Sequence, residues 1–341
     1  MSRPKLSGKL LALAVTICAL LAPPAVNAAT VVNGDFETGN LSGWTVINST
    51  TRGNWFANAG PKTPFEEPED PPTLPFFAPP QGNWAAVTDE TNPDLAILSQ
   101  DVTLEPFWTH NLSLVYYYRS FGPIAIPTPY TLDVNDEVVT LAEPPLEPGQ
   151  ENQQLRIDVI KPTAAIDTVN PADILTTLFA SKVGDPQVVA PTTLAADLTP
   201  FAGQTVRLRI ANAVNEEVFN TGIDAVALTS TPPSNVLGKG RLKLNKKKGN
   251  ALLAVVVPGA GVLKVANVPG KKGKKAPKLV KAASKTASGA GKVWLPIKPT
   301  GKGKAKLEET GKVSFKVTVT FTPTGGIAAT KTFGGKLKLT D

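Results

Sequence analysis

The chain of 341 residues contains one cysteine, one histidine and one methionine. The cysteine, Cys18, lies inside an apolar N-terminal run, so the chain after that run has no disulfide framework, no thiol nucleophile and no cysteine-based metal site. The histidine, His110, stands alone in the turn-like stretch "WTHN", where a lone histidine is usually a surface residue. These shortages exclude disulfide-stabilised scaffolds, so the chain must fold on hydrophobic cores, for which its length is sufficient.

The first 28 residues predict a signal peptide. Arg3, Lys5 and Lys9 precede the apolar run Leu10–Ala22, and a stretch of small residues over 26–28 follows it. The run is 13 residues long, short of the roughly 20 residues with which a helix spans a bilayer. We therefore predict a secreted, extracellular protein, with cell-surface association as an option. The alternative is an uncleaved membrane anchor.

Acidic residues are scarce in the last third of the chain, and basic residues are scarce before it. Residues 29–234 contain 25 Asp and Glu against 8 Lys and Arg, whereas residues 235–341 contain 3 Asp and Glu against 24 Lys and Arg. A change this sharp predicts a domain boundary, and the proline-containing stretch Thr229–Asn235 lies on it. The predicted divisions are a signal peptide over 1–28, an acidic domain over 29–230, a linker over 231–237 and a basic domain over 238–341.

Short runs rich in Val, Ile, Leu, Thr and Tyr recur between turn residues along the acidic domain, as in half-buried β-strands. In Thr205–Ile210 apolar residues alternate with Arg207 and Arg209, which predicts a sheet whose arginine face is open to solvent. One stretch differs from this pattern. Asn170 and Pro171 precede apolar residues at helical spacing, which favours a short helix there over a long insertion.

Several parts of the acidic domain resemble galactose-binding-like jelly rolls, the fold of many carbohydrate-binding modules. "VVNGDFETGNLSGWTV" resembles their first strand and turn, and "PPQGNWAAVTD" with "LSQDVTL" resembles the second and third strands. "TTLAADLTPFAGQTVRLRIANAV" with "TGIDAVALTS" resembles the closing strands. The resemblance covers most of residues 30–230, with a departure over 120–190. It implies a jelly-roll β-sandwich, a scaffold that hosts many different ligands.

The same resemblance implies a structural calcium site. The matching carboxylates are those of Glu37 and Asp224, while Asp35 would add a backbone carbonyl and Asn83 would lie nearby. Calcium is a hard cation that takes several carboxylate and carbonyl oxygens as ligands. In the alternative interpretation Glu37 and Asp224 are hydrogen-bonded turn and strand residues without an ion.

Aromatic residues of the acidic domain are candidates for sugar binding, because an aromatic ring can stack on the apolar face of a sugar. Trp44 and Trp84 match core positions of the family, so we interpret them as structural. Trp55 and Trp108 lie in turn-like surroundings, and Tyr117 points away from its two tyrosine neighbours because strand side chains alternate. These last three are the predicted ligand-binding residues. The alternative is that their rings pack inside the sandwich.

The stretch Pro61–Gln81 is rich in proline and acidic residues, and it also contains three phenylalanines. This composition predicts an extended surface loop between the first strands. The phenylalanines either anchor the loop to the sandwich or form the rim of a binding surface.

The basic domain has a second set of strand patterns. Apolar and polar residues alternate over 313–322, and "TPTGG" predicts the hairpin turn that follows. Six or seven short strands in about a hundred residues predict a smaller immunoglobulin-like β-sandwich without the disulfide. "KLNKKKGNALLAVVVPGAGVL" and "VTVTFTPTGG" resemble Lys-rich sandwich modules of secreted actinobacterial proteins, and that resemblance implies no assigned chemistry.

The positive charge of residues 235–341 consists of 23 lysines and one arginine. Lysine lacks the bidentate geometry of arginine, and few aromatic residues are available to stack on bases, so we predict no specific nucleic-acid partner. Two interpretations stay open. The lysines form a solvated face that keeps the domain soluble, or they attach the protein to an anionic envelope polymer or phospholipid.

The sequence contains no G-x-S-x-G, H-E-x-x-H or phosphate-loop motif. The acidic residues over 66–70 lie in the proline-rich stretch rather than on rigid strands that would hold an acid and a base apart. We therefore predict a non-catalytic carbohydrate-binding or adhesive protein whose partners are a cell-surface polysaccharide and, through the Lys-rich domain, an anionic polymer. The alternative is a structural envelope or matrix protein with no small-molecule ligand.

Overall fold

The computed structural model describes residues 29–49, 54–61, 76–90, 93–134, 149–268 and 277–340. The predicted signal peptide and most of the proline-rich stretch lie outside the described residues. The described residues form two antiparallel β-sandwiches in succession, the second smaller than the first, which confirms the predicted all-β fold class. Within this part of the chain, no helix has the length and apolar character needed to cross a membrane.

Ten strands of the described residues build the first sandwich as two five-stranded sheets. These strands are β1 (Thr45–Asn48), β2 (Trp55–Asn58), β3 (Ala85–Glu90), β4 (Asp94–Thr103), β5 (Thr109–Ser120), β6 (Gln153–Ile160), β7 (Ile174–Ala180), β8 (Val188–Asp197), β9 (Thr205–Val214) and β10 (Phe219–Thr231). The first sheet has the strand order β1-β4-β9-β6-β7, and the second sheet has the order β2-β3-β10-β5-β8. The chain thus passes repeatedly from one sheet to the other, as in a jelly roll.

The main core of the first sandwich lies between these sheets. Alternate residues of each central strand point inward, so Leu98 of β4 and Ile210 of β9 are fully buried. They share a hydrophobic cluster with Tyr118 of β5 and Phe219 of β10, whose rings meet edge to face at 5.2 Å between centroids. The period-2 pattern that predicted the strands is therefore the pattern that fills this core.

The predicted short helix after Pro171 is wrong. Residues Ile174–Ala180 form β7, which pairs antiparallel with β6 at the edge of the first sheet. Leu175 and Leu178 pack against the core from this strand, and so does the ring of Phe179, which lies 4.5 Å from that of Tyr116. The hydrogen bonds and packing that β6 offers override the weak helical spacing, because propensity is a smaller term than tertiary contacts.

In the described part of the second sandwich, over 235–268 and 277–340, there are seven strands and one helix. They are β11 (Arg241–Asn245), β12 (Asn250–Val257), β13 (Gly261–Asn267), β14 (Ala283–Ala287), β15 (Gly291–Ile297), α1 (Gly301–Thr310), β16 (Lys312–Pro323) and β17 (Ala329–Lys338). A three-stranded sheet, β11-β12-β15, faces a four-stranded sheet, β14-β13-β16-β17. The predicted hairpin is confirmed, since β16 and β17 pair along their length and Gly326 donates its N–H to the carbonyl of Pro323 in the turn.

The strand patterns did not reveal α1, although the sequence carries both of its end signals. The hydroxyl of Thr300 caps the helix by accepting the N–H of Gly303, and Gly311 ends it with a left-handed φ of 64°. Leu307 is the buried apolar residue of this helix, and it belongs to the core of the second sandwich. A threonine cap and a closing glycine on either side of a ten-residue segment were therefore the missed signal.

Candidate functional site

The motif between the N-terminal run and β1 forms a tight turn at the end of the first sandwich. Asn33 and Phe36 adopt left-handed conformations with φ of 50° and 53°, which asparagine tolerates better than most residues do. Phe36 is buried with its ring 5.5 Å from that of Trp44, whose indole N–H donates to the Asn33 carbonyl at 3.1 Å. This packed turn leaves Asp35 and Glu37 exposed at its surface.

Glu37 holds the segment that enters β3. Its Oε1 accepts the backbone N–H groups of Asn83 at 2.7 Å and Trp84 at 2.9 Å. These two hydrogen bonds lower the pKa of Glu37 below its usual range because they favour the ionised carboxylate, and the bond from Trp84 has the larger effect. Gly82 is required beside them, since a Cβ there would lie 2.2 Å from Glu37 Oε1. The carboxylate thus joins the opening turn to the start of the second sheet.

Asp224 reaches the same segment from β10. A β-bulge follows it, with Ala225 at a φ of 50°, and such bulges commonly re-aim a side chain. The buried carboxylate accepts the N–H of Gln81 at 2.8 Å and that of Ala225 at 2.6 Å. Burial raises the pKa of Asp224 to about 6, and the negative charges of Glu37 and Asp35 add to the increase. The structure therefore brings the three predicted calcium ligands close enough to interact electrostatically.

The fit of this cluster to calcium is incomplete. Among the described residues, no group of three acidic, histidine or cysteine side chains is arranged to hold a metal ion. Glu37 and Asp224 both accept backbone N–H groups from the segment over 81–84. These hydrogen bonds already connect the opening turn to β10, which is the connection that an ion would make. A cleft of about 410 Å³ lies beside the carboxylates and is lined by Asp35 and Gln81. Calcium binding here stays a prediction.

The predicted exposure of the three ligand-binding aromatics is wrong. Trp55, Trp108 and Tyr117 are 2%, 4% and 0% exposed. Trp55 belongs to the core between the two sheets, and the indole N–H of Trp108 donates to the carbonyl of Gly325 in the second sandwich at 2.8 Å. Buried rings cannot stack on a sugar, so these three side chains form no sugar platform in this conformation.

Tyr117 does lie on the opposite face of β5 from its tyrosine neighbours, as strand alternation predicts. Phe76 and Phe77, from the end of the proline-rich stretch, cover its ring at centroid distances of 5.1 and 5.7 Å. The ring crosses Gly222 of β10, where a Cβ would approach it to 2.1 Å. Of the two roles predicted for the phenylalanines, these two act as anchors against Tyr117.

A buried ionic network on the first sheet was not predicted. The guanidinium of Arg209 donates to Asp158 Oδ2 at 2.6 Å and to the carbonyls of Ile166 and Thr168 at 2.8 and 2.7 Å. Arg156 donates to the same Asp158 carboxylate at 2.5 Å. The predicted solvent-exposed arginine face is therefore wrong at Arg209, which is fully buried. Its covering segment lies in the region that departs from the family pattern, so the family resemblance did not indicate it.

Most cations of the second sandwich have no acidic partner in the part of the chain that the structure describes. Among the described residues after 235, the one ion pair is Lys304 with Glu308, at 3.4 Å on the surface of α1. Lys331 donates to the carbonyl of Leu237, which is a neutral group. This sandwich therefore presents a largely uncompensated positive surface, whereas Asp158 and Glu37 in the first sandwich are satisfied internally.

No protein-family model matches the sequence, and none of the curated proteins matches it at a significant level. Solved structures with a similar chain path include a carbohydrate-binding module of the β-sandwich superfamily, at 12% identity over 57% of this chain and 60% of that chain, with a TM-score of 0.31. The adhesin domain of Epf from Streptococcus pyogenes is 11% identical over 92% and 97%, with a TM-score of 0.30.

The enzymatically active domain of bacteriophage CBA120 tailspike protein 4 is 12% identical over 59% of this chain and 21% of that chain, with a TM-score of 0.32. The chain thus spans less than two thirds of the tailspike and carbohydrate-binding-module chains. Similarity at these TM-scores carries no argument about ligand or activity, and the assignment of two β-sandwiches rests on the strands of this chain.

Proposed function

We propose that this protein is a secreted, non-catalytic binding protein that adheres to an anionic cell-surface polysaccharide through its second sandwich. The first sandwich serves as the packed partner of the second. A binding role of this kind requires an accessible surface of one charge sign, and it requires no reactive group.

The uncompensated positive surface of the second sandwich carries this proposal. Residues 235–341 contain 24 Lys and Arg against 3 Asp and Glu, and the ion pair of Lys304 with Glu308 is the one found in their described part. Exposed like charges repel one another, which disfavours the compact state. An anionic partner would remove this repulsion, so the partner is expected to carry negative charge.

The first sandwich supports a non-catalytic role, because its histidine and its buried Asp158 are engaged in structural contacts. His110 is buried, with Nδ1 2.9 Å from Ser230 Oγ and Nε2 2.9 Å from the carbonyl of Glu105. Asp158 is buried between two arginines. Groups that are buried and bonded in this way are not positioned to exchange protons with a substrate.

The test is sedimentation of the purified full chain with cell envelopes of the source organism. Binding is expected at low ionic strength and is expected to fall steeply at about 0.5 M salt, where the screening length is roughly 4 Å. Envelopes whose anionic groups have first been masked with polylysine are the control and should retain little protein. Binding that persists in high salt, or release of reducing sugar from the envelopes by the protein, contradicts the proposal.

We further propose that the carboxylates of Glu37 and Asp224, together with the backbone carbonyl of Asp35, take up calcium as a structural ion. Burial raises the pKa of Asp224, and the negative charges of Glu37 and Asp35 add to the increase. A cation would offset this repulsion, which supports the proposal. The ion would reinforce the join between the opening turn and β10 that Glu37 and Asp224 already make through the segment over 81–84. The measurement that tests it is described with the residue-scale predictions below.

A structural matrix protein is the second candidate, and the contact between the two sandwiches favours it. Trp108 donates to the Gly325 carbonyl at 2.8 Å, and Asn235 donates to the Ile327 carbonyl at 2.9 Å. Such contacts suit a building element with a fixed domain arrangement. Concentration-dependent self-assembly together with no binding to envelopes would favour this candidate over adhesion.

A further inference from the structure

The outer face of the three-stranded sheet in the second sandwich carries exposed apolar side chains. β12 is apolar on both of its faces, a pattern typical of strands that are covered on both sides. Its inward residues, such as Leu253 and Val255, fill the core. Its outward residues Leu252 and Val256 are 41% and 44% exposed. This face therefore has the composition of a covered surface, and no described residue covers it fully.

Cations stand beside the apolar residues in register across the sheet. The cross-strand pairs are Leu252 with Lys243, Ala254 with Arg241, and Val256 with Lys292. On the β15 side, Trp294 lies directly opposite Ala254 and is partly exposed. Ala254 itself is buried between the larger side chains of Arg241 and Trp294. We call the face formed by Arg241, Lys243, Leu252, Val256, Lys292 and Trp294 the β12 platform.

The partner of this platform is expected to be anionic. Lys243, Arg241 and Lys292 belong to no ion pair within the described residues, and the acidic residues nearest in sequence to β15 are Glu308 and Glu309 on α1. An apolar strip alone would fit many surfaces, whereas a strip bordered on both sides by cations favours a ligand with apolar patches and negative groups together. Among the described residues no carboxylate pairs with these cations, so the platform is open to complementary charge from another molecule.

The shape of the platform favours a linear polymer. Same-face residues in a strand are separated by about 6.8 Å, so the strip from Leu252 to Val256 is about 14 Å long. The side chains of a strand rise above the sheet by only one side-chain length, so the surface that they form is shallow. Such a surface fits a polymer that lies along the strand better than it fits insertion into a bilayer. A sugar ring has an apolar face that can stack on Trp294. Its equatorial groups extend sideways, toward the cations that border the strip.

We propose that the β12 platform binds an acidic polysaccharide. The apolar face of a sugar ring rests on Trp294 and Leu252, and the carboxylate or sulfate groups of the polymer lie beside Arg241, Lys243 and Lys292. This inference rests on the proposed adhesive function and gives it a defined location and ligand class. Trp294, which is partly exposed, is then the aromatic residue that stacks on the sugar. The buried Trp55 and Trp108 of the first sandwich cannot make that contact.

The test uses the full chain and alginate, a linear polyuronate, with binding measured by calorimetry. Trp294→Ala and the double variant Arg241→Ser/Lys243→Ser are each expected to weaken binding by about tenfold or more, as truncation of central aromatic and arginine residues does at other interfaces. The matched control is Lys264→Ser/Lys316→Ser, which removes the same charge from exposed positions on the outer face of the four-stranded sheet. It should change the affinity by less than about twofold.

Thermal unfolding of every variant confirms that it folds, and Leu252→Ser replaces Trp294→Ala if that variant does not. Equal losses in the platform and control variants would overturn the platform and leave the adhesive function standing. Equal binding of neutral dextran, or binding of phosphatidylglycerol vesicles without alginate, would overturn the ligand class. No binding to alginate, dextran or cell envelopes would defeat the adhesive function itself.

Discussion

Tyr117 and Tyr118 are adjacent in β5, and their hydroxyl groups have different surroundings. The hydroxyl of Tyr118 donates to the carbonyl of Pro186 at 2.9 Å. The hydroxyl of Tyr117 is buried and has no hydrogen-bond partner among the described residues. Burial raises the pKa of Tyr118 to about 12 and raises that of Tyr117 further. Neither phenol is expected to ionise near neutral pH.

The two phenylalanine variants should therefore shift stability in opposite directions. Tyr117→Phe removes an unpaired buried hydroxyl and should raise the free energy of unfolding by about 1 kcal/mol, whereas Tyr118→Phe loses a hydrogen bond and should lower it by about 1 kcal/mol. Urea denaturation measures both changes. A destabilised Tyr117→Phe would mean that its hydroxyl has a partner that stabilises the folded chain.

Asp224 should make stability depend on pH. Its pKa is about 6 in the folded chain against an ordinary 3.8, so its contribution is full below pH 3.8 and is lost as pH rises toward 6. A shift of two pKa units corresponds to about 3 kcal/mol. The free energy of unfolding in the absence of metal should fall between about pH 4 and about pH 7, and Asp224→Asn should flatten that decline. A wild-type profile that rises over this range contradicts the assignment.

Calcium should reverse this trend, because it binds the ionised carboxylates. Millimolar calcium added to chelated protein should raise the melting temperature near pH 7 and raise it less near pH 5, where Asp224 is largely protonated. Asp224→Asn, which keeps the shape of the side chain and removes its charge, is the control and should show no shift. Absence of any shift in the wild-type protein at both pH values would rule out the ion.

At the scale of elements, Arg209 fastens a connecting segment to the first sheet. It bonds the carbonyls of Ile166 and Thr168 and also pairs with Asp158, so the segment between β6 and β7 covers the arginine face of β9. Val169 and Ile166 pack on a small apolar cluster at that face. A charge buried in this way is costly to leave unpaired.

Two arginines of β9 offer a matched comparison. Arg209→Met should lower the free energy of unfolding by about 3 to 5 kcal/mol, because it leaves the buried Asp158 with one arginine fewer. Arg207→Met breaks the more exposed pair with Asp101 and should cost less than about 1 kcal/mol. Urea denaturation gives both values, and hydrogen exchange over 161–173 should rise in the first variant alone. Similar decreases in the free energy of unfolding for both variants would contradict the conclusion that burial of Arg209 makes its ion pair the more important one.

At the scale of the whole molecule, the turn before β5 docks on the hairpin turn of the second sandwich. Trp108 donates to the Gly325 carbonyl, and Phe107 lies close enough to Gly325 that a Cβ there would approach its ring to 2.5 Å. The hairpin glycine at a φ of 69° is therefore suited both to its own turn and to the docking. The contact, together with the linker, sets the arrangement of the two sandwiches.

Trp108→Phe should loosen that arrangement without unfolding either sandwich. It keeps an aromatic ring and removes the hydrogen bond, which is worth about 1 kcal/mol and so raises the open population about fivefold. Tryptic cleavage at Lys239, in the connection between the sandwiches, should accelerate by a similar factor. Trp55→Phe is the control, since the indole N–H of Trp55 has no partner among the described residues. Equal acceleration in both variants would argue against a specific contact.

The sequence by itself determined the fold class, the hairpin of the second sandwich and the division of charge. Alternation over 313–322 decides which residues of β16 face the core, because strand side chains point to opposite faces with a period of two. Glu37 and Asp224 were predicted as calcium ligands through a resemblance to galactose-binding-like jelly rolls that depends on short local motifs, and calcium binding stays a prediction. These features depend on residues close together in the chain, so they can be read without knowing the fold.

Only the tertiary structure decided which polar and aromatic groups are buried. Tyr117 is covered by Phe76, Arg209 by the segment around Ile166, and Trp108 by a turn that lies 217 residues further along the chain. The segment that was predicted as a helix forms β7 because it pairs with β6 at the edge of the first sheet, which is also a tertiary contact. Burial depends on contacts between distant parts of the chain, and local patterns carry no information about which distant segment will arrive there.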